Sequence, residues 1–142
     1  MGTPPLDSLR TRDLLPFDAL AADPPMGVMV GHLNVPGLSG TTPASISPAA
    51  YALLRDELGF EGLAFSDSLS MGAIAGTIPP ESAAVQTIAA GADVALFVTI
   101  ANPAGAIDAL EAAVDDGTLP EARVDESVAR VLTQKGIDPC SL

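Results

Sequence analysis

The sequence has no tryptophan, one cysteine, one histidine and only six basic residues. Each shortage excludes something. The lone Cys140 cannot close an internal disulfide, and is expected as an exposed tail thiol able to pair only with a cysteine outside this chain. One histidine and one cysteine cannot supply the three or four nitrogen and sulfur ligands of an ordinary zinc site, so no metal and no cofactor are expected. Six basic against eighteen acidic residues leave a net charge of −12, which repels phosphate backbones and anionic lipid and argues against nucleic acid as a partner. No apolar run approaches the ~20 residues of a membrane span. Met1 leads into Gly-Thr-Pro-Pro rather than a basic patch and an apolar segment, so no export signal is read here.

Hydrophobic residues make up 48 % of the chain and aromatics 4 %, so any core must be built from Ala, Val, Leu and Ile. At 142 residues the chain is read as a single domain, residues 1–142, able to bury about two-thirds of its unfolded surface. Residues 1–25 form a proline-rich lead-in, expected as turns with one or two short helices.

The run from Met26 to Val35, MGVMVGHLNV, suits a strand buried on both faces. Ser47-Pro48 then reads as an N-cap and first helical position, with Tyr51, Leu54 and Leu58 at helical spacing and Gly59 as the stop. Gly62 to Phe65 gives a second short strand. A helix from about Glu81 places Val85, Ile88 and Ala89 on one face and ends at Gly91. Ala92 to Val98, ADVALFV, reads as a third buried strand. Asn102-Pro103 opens a helix with Ile107, Leu110 and Val114 inward and Gly117 at its end. A last helix carries Val124, Val128, Val131 and Leu132 and stops near Gly136. The acidic residues around it, Asp115, Asp116, Glu121, Asp125 and Glu126, read as a solvated face, with Asp125 as a cap.

The three strands begin roughly 30 to 36 residues apart, the length of a βα unit. Alternation of this kind builds a parallel sheet with helical crossovers. Two α/β architectures satisfy it: a small three-layer sheet, or a stretch of a (β/α)₈ barrel, whose full form takes about 250 residues. In both, ligands gather at the carboxyl ends of the strands. His32 and Asp67 stand at such ends. Asp67, between two serines in AFSDSLSM, is either a helix cap or turn former, or a carboxylate facing a pocket. His32 is either a core histidine bonded to backbone or a pocket residue. No GxGxxG, GxxxxGK[ST] or GxSxG occurs, which leaves a carboxylate at a strand end, acting as base or glycosidic nucleophile, as the strongest candidate chemistry.

Six segments, DLLPFDAL, VMVGH, PASISP, LLRDELGFEGLAFSDSLSM, AAGADVALF and RVDESVARVLTQKG, occur in an order and spacing that resemble glycoside hydrolase family 3, in its β-N-acetylhexosaminidase branch. The resemblance implies the C-terminal portion of a (β/α)₈ TIM barrel, about three βα units plus a terminal helix. It implies that Asp67 is the nucleophile of a retaining glycosidase acting on cell-wall amino sugars. Related sequences often carry a second aspartate where Ser68 stands here. His32 would support the pocket or touch substrate, and Met71 would form pocket wall or pack in the core. The branch's acid/base histidine lies in a KHFPGHGDT-like motif, which is absent from this sequence. The chain is thus expected to be inactive alone, with a carbohydrate as the substrate class and two unpaired strand edges that invite self-association or pairing. A non-catalytic sugar-binding or partner-completed half-barrel module is the alternative, and a small doubly wound domain binding a metabolite the third. The compartment stays open between bacterial cytoplasm and cell envelope.

Overall fold

The computed structural model describes residues 3–21 and 27–141. Among them are helices α1 (Leu6–Arg10), α2 (Leu15–Ala21), α3 (Pro48–Ala52), α4 (Gly72–Ala75), α5 (Pro80–Ala90), α6 (Pro103–Asp115) and α7 (Glu121–Gln134), with strands β1 (Gly27–Val30) and β2 (Leu63–Ser66). The fold is α/β. The strands pair in parallel with Gly27 opposite Leu63 and Val30 opposite Ser66. Met26, at the start of the expected first strand, lies outside the described residues.

Proline fixes the backbone angle that a helix needs at its start, and the longer helices use it. Pro48, Pro80 and Pro103 occupy first-turn positions, and Pro120 directly precedes α7. Asn102 adds a side-chain cap, its Oδ1 accepting the Gly105 N–H at 3.1 Å. Ser47 stands at the cap position of α3 but its side chain makes no cap bond, and Asp125 lies inside α7 rather than at its start. After Ala52 the α3 helix widens into a π turn over Leu53–Glu57, and Gly59 ends it with φ 63°. Gly91 ends α5 with φ 127°. The lead-in holds α1 and α2, and the Arg10 guanidinium clasps both carboxylate oxygens of Glu57 at 2.8 Å.

The main core joins Tyr51 and Leu54 of the α3 helix to Phe60, Ala64, Ile88, Ala90, Ala92, Ala113 and Leu119. Small side chains let α5 lie close against its neighbours: Ala83, Ala84, Thr87 and Ile88 face inward, while Ala89, expected inside, is exposed. On α6 the buried residues are Ala106 and Ala113, and Ile107 turns outward.

Two expectations for the strands are corrected. The first strand is not buried on both faces, because among the described residues β1 has β2 on one edge and no strand on the other: Met29 is 56 % and Leu33 60 % exposed. The third segment, Ala92–Val98, is no regular strand, and touches the sheet through a single parallel bridge, Val94 to Phe65. Beyond Val94, serine hydroxyls replace the carbonyls that a regular ladder would use.

Candidate functional site

β1 and β2 end side by side, and the chain extends their pairing by one bond, from the Asp67 N–H to the Val30 carbonyl at 2.9 Å. Asp67 is thereby fixed at the carboxyl end of the sheet. Its side chain is half-buried, and Oδ1 accepts the Ser68 N–H at 2.6 Å. Oδ2 has no partner among the described residues. Asp67 does not cap a helix, since Met71 is the residue that precedes α4.

His32, two residues beyond β1, reaches the same loop. Its Nε2 lies 2.9 Å from the Ser68 carbonyl and its Nδ1 2.6 Å from Ser45 Oγ. A carbonyl only accepts, so Nε2 carries the proton, and in the neutral ring Nδ1 accepts from the Ser45 hydroxyl. Met71 completes the turn, its N–H donating to the same Ser68 carbonyl at 2.9 Å while 48 % of the residue stays exposed. The three residues singled out from the sequence therefore meet around one residue's backbone, Asp67 at the N–H of Ser68 and His32 and Met71 at its carbonyl.

The loop is braced on its far side by alternating serines. Ser66 Oγ accepts the Leu96 N–H at 3.0 Å and Ser68 Oγ the Val98 N–H at 3.0 Å. Ser70 Oγ takes Val98 and Thr99 N–H groups at 3.1 and 3.2 Å, and pairs with Ser68 Oγ at 2.8 Å. Side chains at alternate positions point to one side of an extended chain, so a run of S-x-S-x-S can present a row of acceptors. That spacing was the sequence signal for this brace, and it was not read.

No arginine bonds to Asp67. Three of the five gather instead around Asp93, which the sequence reading missed: Arg55, Arg123 and Arg130 approach its carboxylate at 2.6, 3.0 and 3.0 Å. The Ala64 N–H donates to it as well, at 2.9 Å. Burial lowers the Arg55 guanidinium from its ordinary value while Asp93 draws it back up. This cluster sits where the third segment begins, at the opposite end of the sheet from Asp67. An acidic residue opening an apolar run was its only trace in the sequence. Among the described residues, no group of three or more His, Cys, Asp or Glu side chains is arranged to hold a metal ion, and no helix is long and apolar enough to cross a membrane.

The comparisons with known proteins converge. The β-hexosaminidase LpqI of Mycobacterium tuberculosis is 49 % identical over 143 aligned residues, which cover 96 % of this chain and 37 % of that protein. Its solved structure superposes with a TM-score of 0.92 over 98 % of this chain and 42 % of that one. A glycoside hydrolase family 3 β-N-acetylglucosaminidase from Paenibacillus superposes with a TM-score of 0.87 at 34 % identity, covering 95 % of this chain and 26 % of its own. The chain thus spans little more than a third of the length of the curated mycobacterial relative. Residues 2–134 match the Glycosyl hydrolase family 3 N terminal domain, and the chain therefore belongs to glycosyl hydrolase family 3.

Proposed function

We propose that the chain is the C-terminal portion of the (β/α)₈ barrel of a retaining β-N-acetylhexosaminidase, that Asp67 is its nucleophile, and that the isolated chain does not turn over substrate. The observation that carries this reading is the Asp67 carboxylate, anchored through Oδ1 with Oδ2 unpartnered among the described residues, at the carboxyl end of parallel strands. In this reading Oδ2 attacks an anomeric carbon. A C–O bond to the enzyme forms as the bond to the leaving group breaks, and water later cleaves the ester.

The leaving oxygen needs a proton. The His32 Nε2–H is committed to the Ser68 carbonyl, and among the described residues no second carboxylate is bonded into this loop, so in this reading they supply no acid. Loss of the acid alone removes about 10² to 10⁴ in rate. Met71, half exposed beside the loop, supplies an apolar wall to the pocket. The same reading accounts for the open β1 edge and for the share of its relatives that the chain covers.

Two assays test it. The 142-residue chain is expected to leave an aryl N-acetyl-β-glucosaminide intact, and turnover that vanishes in Asp67→Ala would overturn the inactive-portion reading. A chimera in which this chain replaces the matching segment of the mycobacterial relative is expected to be active, and Asp67→Asn in it to lose roughly a thousandfold or more in kcat. An active Asp67→Asn chimera removes Asp67 as nucleophile.

A second reading rests on one feature, the apolar groove of about 230 Å³ beside β1, lined by Leu9, Leu14, Phe17, Val28, Met29 and Leu33 among others. Such a face suits a half-barrel completed by another polypeptide. A sugar-binding but non-catalytic chain would then bind N-acetylglucosamine with Asp67→Asn as tightly as with aspartate.

A further inference from the structure

Beyond Asp67 itself, one bonded path links the reacting end of the sheet to the deepest part of the core. Thr87 on α5 and Tyr51 on α3 are fully buried, and both donate to the Ser45 carbonyl, at 2.6 and 2.9 Å. Ser45 is itself completely buried, and its N–H is held by the Gly31 carbonyl at 3.1 Å. With its backbone pinned on both sides, its hydroxyl is aimed at His32 Nδ1, 2.6 Å away. The opposite ring nitrogen donates to the Ser68 carbonyl, and the Ser68 N–H donates to Asp67 Oδ1.

We infer that His32 is a positioning residue rather than a substrate contact: held in its Nε2–H form by Ser45, it anchors the carbonyl of Ser68, the residue whose N–H orients the Asp67 carboxylate. The inference rests on the reading of Asp67 as the reacting group, and it concerns how that group is aimed. Both nitrogens of the ring are used inside the protein, which leaves the imidazole no donor or acceptor for a sugar hydroxyl. The Ser68 carbonyl also receives the Met71 N–H, so without His32 it keeps one bond but loses the one that leads through the imidazole to Ser45 and the core. A carboxylate that must attack one carbon from one direction depends on such fixing, since misplacement by about 1 Å can cost some 10²-fold. Support of a reacting side chain by a buried, fully bonded neighbour is the usual means of holding that geometry.

His32 is the only histidine, so its imidazole gives a single nitrogen-15 pattern without assignment. In the 142-residue chain the ring is expected to carry its proton on Nε2, in slow exchange with water. His32→Leu is expected to speed hydrogen exchange of the Ser68 amide about tenfold, and His32→Gln, which retains an N–H donor, to restore most of the protection. In the active chimera, His32→Leu is expected to lower kcat by ~10 to 100-fold with KM changed less than threefold. A ring protonated on Nδ1, unchanged Ser68 exchange in folded His32→Leu, or a rise in KM with kcat intact would each overturn the inference. Should His32→Leu fail to fold, the wild-type tautomer and Ser45→Ala decide: Ser45→Ala is expected to speed exchange of the imidazole N–H, and no change there defeats the proposal. The imidazole and amide readouts do not depend on turnover, so they fail or hold separately from the assignment of Asp67 as nucleophile.

Discussion

Arg55 Nη2 lies 2.6 Å from Oδ2 of Asp93, a carboxylate with no exposed side-chain surface. The same guanidinium donates through Nη1 to the carbonyls of Phe60 and Gly62, both at 2.7 Å, and its carbon sits 5.3 Å from the centre of the Phe60 ring. One side chain thus joins the π turn of the α3 helix to the entry of β2 and the start of the third segment. With Arg123 and Arg130 arriving from α7, Asp93 binds the last helix to the sheet. Asp93→Ala is expected to destabilise the chain by about 3 to 5 kcal/mol, because it leaves three partly buried cations without their shared counter-ion. Urea unfolding measures this, and a loss below about 1 kcal/mol would mean that the arginines find water or Glu126 instead.

Gly91 separates two effects that glycine substitutions usually mix. At Gly91, with φ 127°, an added Cβ would lie 2.6 Å from the Cβ of Tyr51, itself buried in the core. At Gly59, with φ 63°, nothing lies within 4 Å. Gly59→Ala carries backbone strain alone, expected at about 1 to 2 kcal/mol, whereas Gly91→Ala adds a steric clash and is expected to cost at least ~2 kcal/mol more. Equal losses in the two variants would show that the α5 end shifts freely away from Tyr51.

The helices were legible because their ends are written in local chemistry: Pro48 and Pro103 at first helical positions, Asn102 as a cap, glycines where the backbone turns left-handed. Asp67 and His32 were legible as strand-end residues for the same local reason. Asp93 was not, since its three arginines lie 38, 30 and 37 residues away and no local pattern joins them. The third segment was misread because apolar content marks neither full burial nor the acceptor: ADVALFV was expected as a buried strand, yet residues 94–97 are half-buried, Val98 is exposed, and the N–H groups at Leu96 and Val98 are met by serine hydroxyls. On α6 the expected face is right at Leu110 and Val114, which pack against the main core, and wrong at Ile107, which is left outside while small Ala106 and Ala113 are buried.

Those hydroxyls make a separate expectation. Ser66 is fully buried and its Oγ meets the Leu96 N–H. Ser66→Ala removes that acceptor while changing the packing volume little, and is expected to cost about 1 to 3 kcal/mol and to abolish protection of the Leu96 amide in hydrogen exchange. Protection that persists at Leu96 would mean that a backbone carbonyl takes over and a regular third strand forms.

Tyr51 gives the chain a defined alkaline limit. Burial pushes its phenol up to about 12 from an ordinary 10.0. The folded state holds this proton more tightly than the unfolded state, so the contribution is fully present below pH 10 and is lost as pH climbs from 10 towards 12. It amounts to roughly 2 to 3 kcal/mol. Tyr51 is the only tyrosine and there is no tryptophan, so phenolate absorbance reports it directly. Stability between pH 9 and 12 is expected to fall in the native chain and much less in Tyr51→Phe; parallel curves would assign the alkaline loss to other groups.

The open side of β1 makes the last expectation, and it bears on the two functional readings at once. Met29 and Leu33 are more than half exposed beside an unpaired strand edge, and the groove they border is walled by Leu9, Leu14 and Phe17. An edge of this kind offers unpaired backbone groups and apolar surface together, the combination that drives edge-to-edge pairing. The native chain is expected to self-associate with rising concentration in light scattering. Met29→Glu with Leu33→Glu places like charges on the contact and is expected to give a monomer with an unchanged unfolding midpoint, because neither residue is part of a buried cluster. Val98, 77 % exposed at the end of the third segment, marks the opposite flank, and Val98→Glu is expected to have the smaller effect. A native chain that stays monomeric over the whole concentration range would show that this edge does not drive self-association, while leaving Asp67 as the nucleophile to be judged by the chimera alone.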